Sequence, residues 1–348
     1  MGGVGGGEEE EEEEVLGTFS DLTKHIVCHG LSIFTRGRSQ FVGILGAFIR
    51  ANSVPKASEN LRNPEADRIE TILKLLNEPS LDSDEEVCFM LLQVVKILSR
   101  KQVNRARVGQ IGIRAVLSHM EAPQSPRVAA EGANVILNIC YERDHVISFL
   151  RCDGLPPLVR FLSYGDETVK ANAAGAIQSI CFQYKGRLSV RDQGAVPKLV
   201  TLLQSSNTKV VTRAVGALHN LSSDPECIQI IRKREGIPLV VDCLRADSLA
   251  VCGSAAGALQ NISREVASRN IVRNLDAVAP LADLLSAQDL SAQVCAAGAL
   301  LNILGPELDK SRQGERSRRG FGQLLSCVLA MSVVFDSVWE DCPSLDYQ

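Results

Sequence analysis

Aromatic side chains are scarce in this chain. Phe, Trp and Tyr make up 4% of its 348 residues, and Trp occurs once. A β-sandwich, which draws on aromatic and β-branched side chains, is disfavoured; the 45% hydrophobic content must come mainly from Leu, Ile, Val and Ala, as in close-packed helices. The eleven cysteines lack any pairing grammar, since no CxxC occurs, and Cys88, Cys140, Cys181, Cys252 and Cys295 fall inside helical patterns as small apolar residues. Nothing at the N-terminus reads as a basic-then-apolar secretory leader, which together with the unpatterned cysteines points to the cytoplasm or nucleus. The most apolar stretch, Phe321–Phe335, falls short of the roughly 20 residues needed to span a bilayer.

Catalytic grammar is missing as well. There is no P-loop, GxSxG or HExxH. The five histidines are scattered; His25, Cys28 and His29 would offer metal ligands, but no second cluster completes a four-coordinate site. The reading is therefore no enzyme, no metal and no cofactor. Charge is uneven: Glu8–Glu14 is an unbroken acidic run, without which the formal charge of −4 turns slightly positive. Such a balance implies no nucleic acid partner, and the run predicts disorder over residues 1–14.

What is present is a repeat. Val128–Ile139, Val169–Ile180, Val210–Leu221, Val251–Ile262 and Ala292–Ile303 align without gaps at a spacing of 41 residues. Near the end of each stands a polar residue: Asn138, Ser179, Asn220, Asn261 and Asn302. An earlier copy, Val87–Leu98, has Ile97 there. Counting from the Asn position, apolar residues fall 10, 6, 3 and 2 before it and 1 after, a single buried stripe at helical period. The Asn and the residues four and seven before it share another face. A second element precedes each helix: Gly154-Leu155-Pro156, Gly194-Ala195-Val196-Pro197 and Gly236-Ile237-Pro238, with a proline-free copy at Gly112-Ile113. Glycine in left-handed conformation ends one helix and proline opens the next.

Both the period and the wording, Gly-x-Val-Pro-x-Leu-Val followed by Ala-Ala-Gly-Ala-Leu-x-Asn-Leu-Ser, resemble the armadillo repeat over about residues 110–304, with a weaker copy at 66–109. The Ala-Ala-Gly wording is closer to β-catenin-like and vacuolar or plant armadillo scaffolds than to nuclear-import adaptors. The resemblance implies an all-α fold, a right-handed α-solenoid of about 41 residues per repeat. It divides the chain into an acidic tail (1–14), an N-terminal helical cap or degenerate repeat (15–65), about six repeats (66–304), a charged linker (305–320) and an apolar capping helix with tail (321–348). Within the cap, Ser39–Asn52 has amphipathic helical spacing.

The resemblance further implies a concave groove lined by the Asn-bearing helices, in a monomeric array whose partner is an extended segment of another protein. Candidate groove residues are Asn138, Ser179, Asn220, Asn261 and Asn302, with Asn134, Asn172 and Arg213 beside them. An amide clamps both N–H and C=O of a peptide main chain; equally, it braces the adjoining turn or the next repeat. Import adaptors carry tryptophan four before the Asn to sandwich basic side chains. Here that position holds Asn134, Gly175, Gly216, Gly257 and Gly298, so basic signals are not expected to bind. The position seven before, Glu131, Asn172, Arg213, Ser254 and Cys295, has no single sign of charge. A divergent import-type adaptor and a regulatory subunit of an enzyme assembly are the alternative readings.

Overall fold

The computed structural model describes residues 38–53 and 67–304. The expectations for 1–14, 305–320 and 321–348 lie outside the described residues. The chain divides into two compact units, Met1–Gln193 and Gly194–Gln348. The first holds α1 (Arg38–Ala51), α2 (Asp67–Leu76), a 3-10 turn (Pro79–Ser83), α3 (Glu85–Leu98), α4 (Gln102–Glu121), α5 (Pro126–Ile139), α6 (Arg143–Arg151), α7 (Leu155–Phe161), α8 (Glu167–Ile180) and α9 (Tyr184–Asp192). The second holds α10 (Ala195–Leu202), α11 (Thr208–Leu221), α12 (Pro225–Lys233), α13 (Gly236–Asp242) with a 3-10 turn (Cys243–Arg245), α14 (Leu249–Ile262), α15 (Val266–Arg273), α16 (Val278–Leu284) and α17 (Leu290–Ile303). No strand occurs among the described residues.

The helices that carry the Asn position are α3, α5, α8, α11, α14 and α17, with Ile97 standing there in α3 and Ser179 in α8. All six have the same length, and their first residues, Glu85, Pro126, Glu167, Thr208, Leu249 and Leu290, follow one another at a constant interval. A capping residue enforces that register. Asp84, Ser125, Asp166, Asn207, Ser248 and Asp289 stand at the N-caps, and all but Ser248 accept a backbone N–H from the first turn. Residues of this kind occupy the donors that a helix start leaves open. The helix ends are satisfied differently: Arg105 donates to the carbonyls of Ser99 and Arg100, Arg187 to those of Cys181 and Phe182, and Arg269 to those of Ser263 and Arg264. These arginines recur every second repeat and place cationic donors at the negative ends of α3, α8 and α14.

Packing follows the apolar stripe. In the first unit α5 lies between α3 and α8 and also rests on α4; in the second, α14 lies between α11 and α17. Val128, Ala133, Ile136 and Ile139 of α5 are fully buried, as are Ala255, Ala258, Leu259 and Ile262 of α14. Cys88, Cys140 and Cys181 are buried and belong to no disulfide, the small apolar role expected of them. α1 packs on α3 through buried Phe41, Leu45 and Phe48, and Arg38 clasps Asp84 and Glu86 at the start of α3.

The bends between elements depart from the expectation in one respect. At the bends between repeats the described residues with positive φ are Asp153, Gly194, Glu235 and Asp276, evenly spaced at the repeat interval, and of these four only Gly194 is a glycine. Gly154 and Gly236 stand one position later, where space is short: a Cβ on Gly154 would lie 2.3 Å from the Phe149 ring. Gly112 likewise sits inside α4, against Leu73 and Val108, and the break in that helix falls at Gly109 with φ 52°. The sequence pattern aligned glycines that serve two different purposes.

Candidate functional site

At three of the Asn positions the structure shows what the side-chain amide does. Asn138 Nδ2 donates to the carbonyl of Lys96 and to Ser99 Oγ, both at 3.3 Å. Asn261 Nδ2 donates to the carbonyl of His219 at 3.5 Å and to Ser222 Oγ at 3.1 Å. Asn302 Nδ2 donates to the carbonyl of Gln260 at 2.8 Å. Each of these amides thus reaches the last turn of the preceding Asn-bearing helix. The serine of the Asn-Leu-Ser wording is the relay: Ser99 and Ser222 accept the amide and donate onward to the carbonyls of Lys96 and His219. Both serines are buried, so the pair satisfies polar groups that would otherwise be stranded. Asn261 is 9% exposed, whereas Asn138, Ser179, Asn220 and Asn302 are half-buried.

The position four before the Asn has a packing reason to be glycine. The residue just before the Asn in one repeat folds over this glycine in the next. A Cβ on Gly257 would stand 2.3 Å from the His219 ring, and one on Gly298 would stand 2.2 Å from the amide nitrogen of Gln260. At these two repeats the slot is filled from within the protein. Burial pushes the His219 imidazole below its ordinary pKa, since the cation would lose its water. Asn134, at the same position of α5, is half-buried.

Seven before the Asn, the residues divide between bracing and exposure. Asn172 Nδ2 donates to the carbonyl of Ala130 at 2.8 Å, and buried Glu131 forms an ion pair with Lys96. Arg213 is exposed, and no ion pair with a described residue engages it. Lys209 lies one turn before it on α11, also exposed. No acidic residue occurs on α11, α14 or α17, while α3, α5 and α8 carry both signs. The charge of this row therefore differs between the two units, a feature hidden when the row is read as one list. Among the described residues no cluster of three or more His, Cys, Asp or Glu is placed to hold a metal, and no helix is long and apolar enough to cross a membrane.

Helices of equal length at a constant interval, clasped amide to hydroxyl, agree with comparison to known families. The Armadillo/beta-catenin-like repeat model matches residues 144–182, 184–223 and 224–264. Residues 144–264 carry armadillo repeats. The helices of this chain also resemble those of solved structures. An engineered protein is 25% identical with a TM-score of 0.62, over 68% of this chain and 96% of that one. Another engineered protein, at 24% identity and a TM-score of 0.69, covers 82% of this chain and 68% of its own. A designed armadillo repeat protein in complex with the peptide (KR)4 is 22% identical, with a TM-score of 0.59 over 68% of this chain and 99% of that one. No match is found among curated proteins.

Proposed function

We propose that this armadillo protein is a non-enzymatic adaptor that holds an extended segment of a partner protein along the face carrying the Asn row. The observation that carries the reading is a division of labour on that face. Amides at Asn138, Asn261 and Asn302 tie successive helices together from within, while Asn138, Asn220, Asn302 and Arg213 keep part of their side chains open to solvent. A surface braced in this way needs no rearrangement to receive a strand of peptide, which lowers the cost of ordering on binding. A designed protein of the same fold has been solved with a peptide. The charge of that peptide belongs to that protein; in this chain His219 and Gln260 cover the two glycines where an aromatic slot for basic side chains would sit.

The test compares two variants of the full chain by affinity capture and mass spectrometry. Arg213→Ala with Lys209→Ala, both at exposed positions of α11, is expected to lose captured partners while its melting temperature stays near that of the parent. Asn261→Ala is expected to lower the melting temperature and to keep its partners wherever it remains folded. Partners retained by the first variant would remove the reading.

A further inference from the structure

Three aromatic side chains break the rule that the apolar content of this protein is inside. Tyr141 is 58% exposed, Phe182 56% and Tyr184 63%, whereas Phe48, Phe149 and Phe161 are fully buried. The three stand together in the first unit, where the Asn-bearing helices turn into the next repeat. The rings of Tyr141 and Phe182 are 5.8 Å apart, tilted by 37°. Arg187 lies over the Tyr184 ring at 5.8 Å and donates to the carbonyls of Cys181 and Phe182, which holds the turn. Exposed aromatic anchors on a fixed backbone are the costly kind of surface feature that binding exploits.

The charges beside the rings have one sign in excess. Glu142 is taken up by Arg105, which donates to its carboxylate at 3.1 and 3.2 Å. Arg143 and Lys185 are exposed and form no ion pair with a described residue, and Asp144 is the nearby carboxylate that opposes them. An occupant complementary to this edge is acidic and carries apolar anchors. The chain contains such a segment: Glu8–Glu14 is followed directly by Val15 and Leu16, and then by Phe19. It is tethered to the same unit, since Phe19 precedes α1 by a stretch that extends at most about 3.3–3.6 Å per residue. From α1 the path to the edge runs through α3, α5 and α8 in steps of about 8–10 Å, within that reach. We propose that the aromatic edge formed by Tyr141, Phe182 and Tyr184, flanked by Arg143 and Lys185, is the docking site for the acidic segment Glu8–Phe19 of the same chain.

The experiment uses the full chain with the photo-crosslinking residue benzoylphenylalanine in place of Phe182, followed by peptide mapping. The expected product joins position 182 to residues 8–19 within one chain, and it is lost when Glu8–Glu14 are all changed to Gln. No crosslink, a crosslink elsewhere, or one to a second copy overturns the proposal. A second measurement titrates that Gln variant with a fluorescent peptide of sequence 8–19. Tyr141→Ser with Tyr184→Ser, both at exposed positions, is expected to weaken binding about tenfold or more, and salt is expected to weaken it further. Equal binding by the two proteins overturns the proposal, as does binding of phosphatidylserine vesicles to the Gln variant that the same tyrosine changes abolish and the peptide does not displace.

Discussion

Asn261 reaches back to Ser222 and donates its side-chain amide to the hydroxyl at 3.1 Å, while that hydroxyl donates to the carbonyl of His219 at 2.7 Å. Two residues 39 apart in the chain therefore close a polar clasp inside an aliphatic stack. Asn261→Ala is expected to cost about 1–3 kcal/mol, because it deletes the bond and leaves the acceptor side of a buried hydroxyl without a partner. Ser222→Ala alone should cost a similar amount, and the double variant less than the sum of the two. Urea unfolding of the four proteins checks this; strict additivity would show that the clasp does not couple them.

Gly257 offers a sharper test, since two physical effects oppose each other. Replacing a helical glycine by alanine ordinarily stabilises by about 0.5–1 kcal/mol. Here the new Cβ would stand 2.3 Å from the His219 ring. Gly257→Ala is therefore expected to destabilise, by about 1–3 kcal/mol. Adding His219→Ala should restore much of the loss by clearing the space. A stabilised single variant would show that the ring moves away at no cost.

His219 also makes stability depend on pH. Its folded pKa lies below the ordinary 6.5 because burial disfavours the cation. As pH falls, the unfolded chain takes up this proton before the folded one does. The contribution of His219 is thus complete above pH 6.5 and declines as pH drops below that value toward the folded pKa. His219→Gln should flatten this part of the profile, Gln being the residue that covers Gly298 in the next repeat. Urea midpoints between about pH 7.5 and about pH 5.5 measure it; parallel slopes for the two proteins would dismiss the role.

Arg269 closes the C-terminal end of α14 through the carbonyls of Ser263 and Arg264, at 2.9 and 3.4 Å. Arg269→Met keeps the aliphatic stem and removes the donors. The expected loss is about 1–2 kcal/mol. Thermal unfolding at low and high salt separates this from a surface ion pair: the loss should persist in salt, since hydrogen bonds to carbonyls are screened far less than exposed charges.

Much of the architecture was legible before any coordinates, and particular residues explain why. Val210, Ala214, Ala217, Leu218 and Leu221 spell a buried stripe at helical period, and all five are fully buried. The capping residues Asp84, Ser125, Asp166, Asn207, Ser248 and Asp289 repeat at the same interval and were a usable signal that the apolar pattern overshadowed. The arginines that close alternate helices were harder to find, since their period spans two repeats and the intervening positions are Val146 and Ile228, both buried. The aromatic edge left a trace only in composition: few rings in the chain, three of them gathered on one edge.

Local order was written in the chain: the period of the apolar stripe, the breakers and the caps set where each helix begins and ends, because those choices depend on residues within a turn or two of one another. What each polar residue does was decided by the stack. Whether an asparagine meets solvent or the hydroxyl of Ser222, and whether a glycine serves the backbone, as at Gly194, or makes room for a ring, as at Gly257, depends on the helix that arrives from the neighbouring repeat. Such contacts join residues a whole repeat apart, and a pattern that is the same in every repeat does not distinguish them; only packing does.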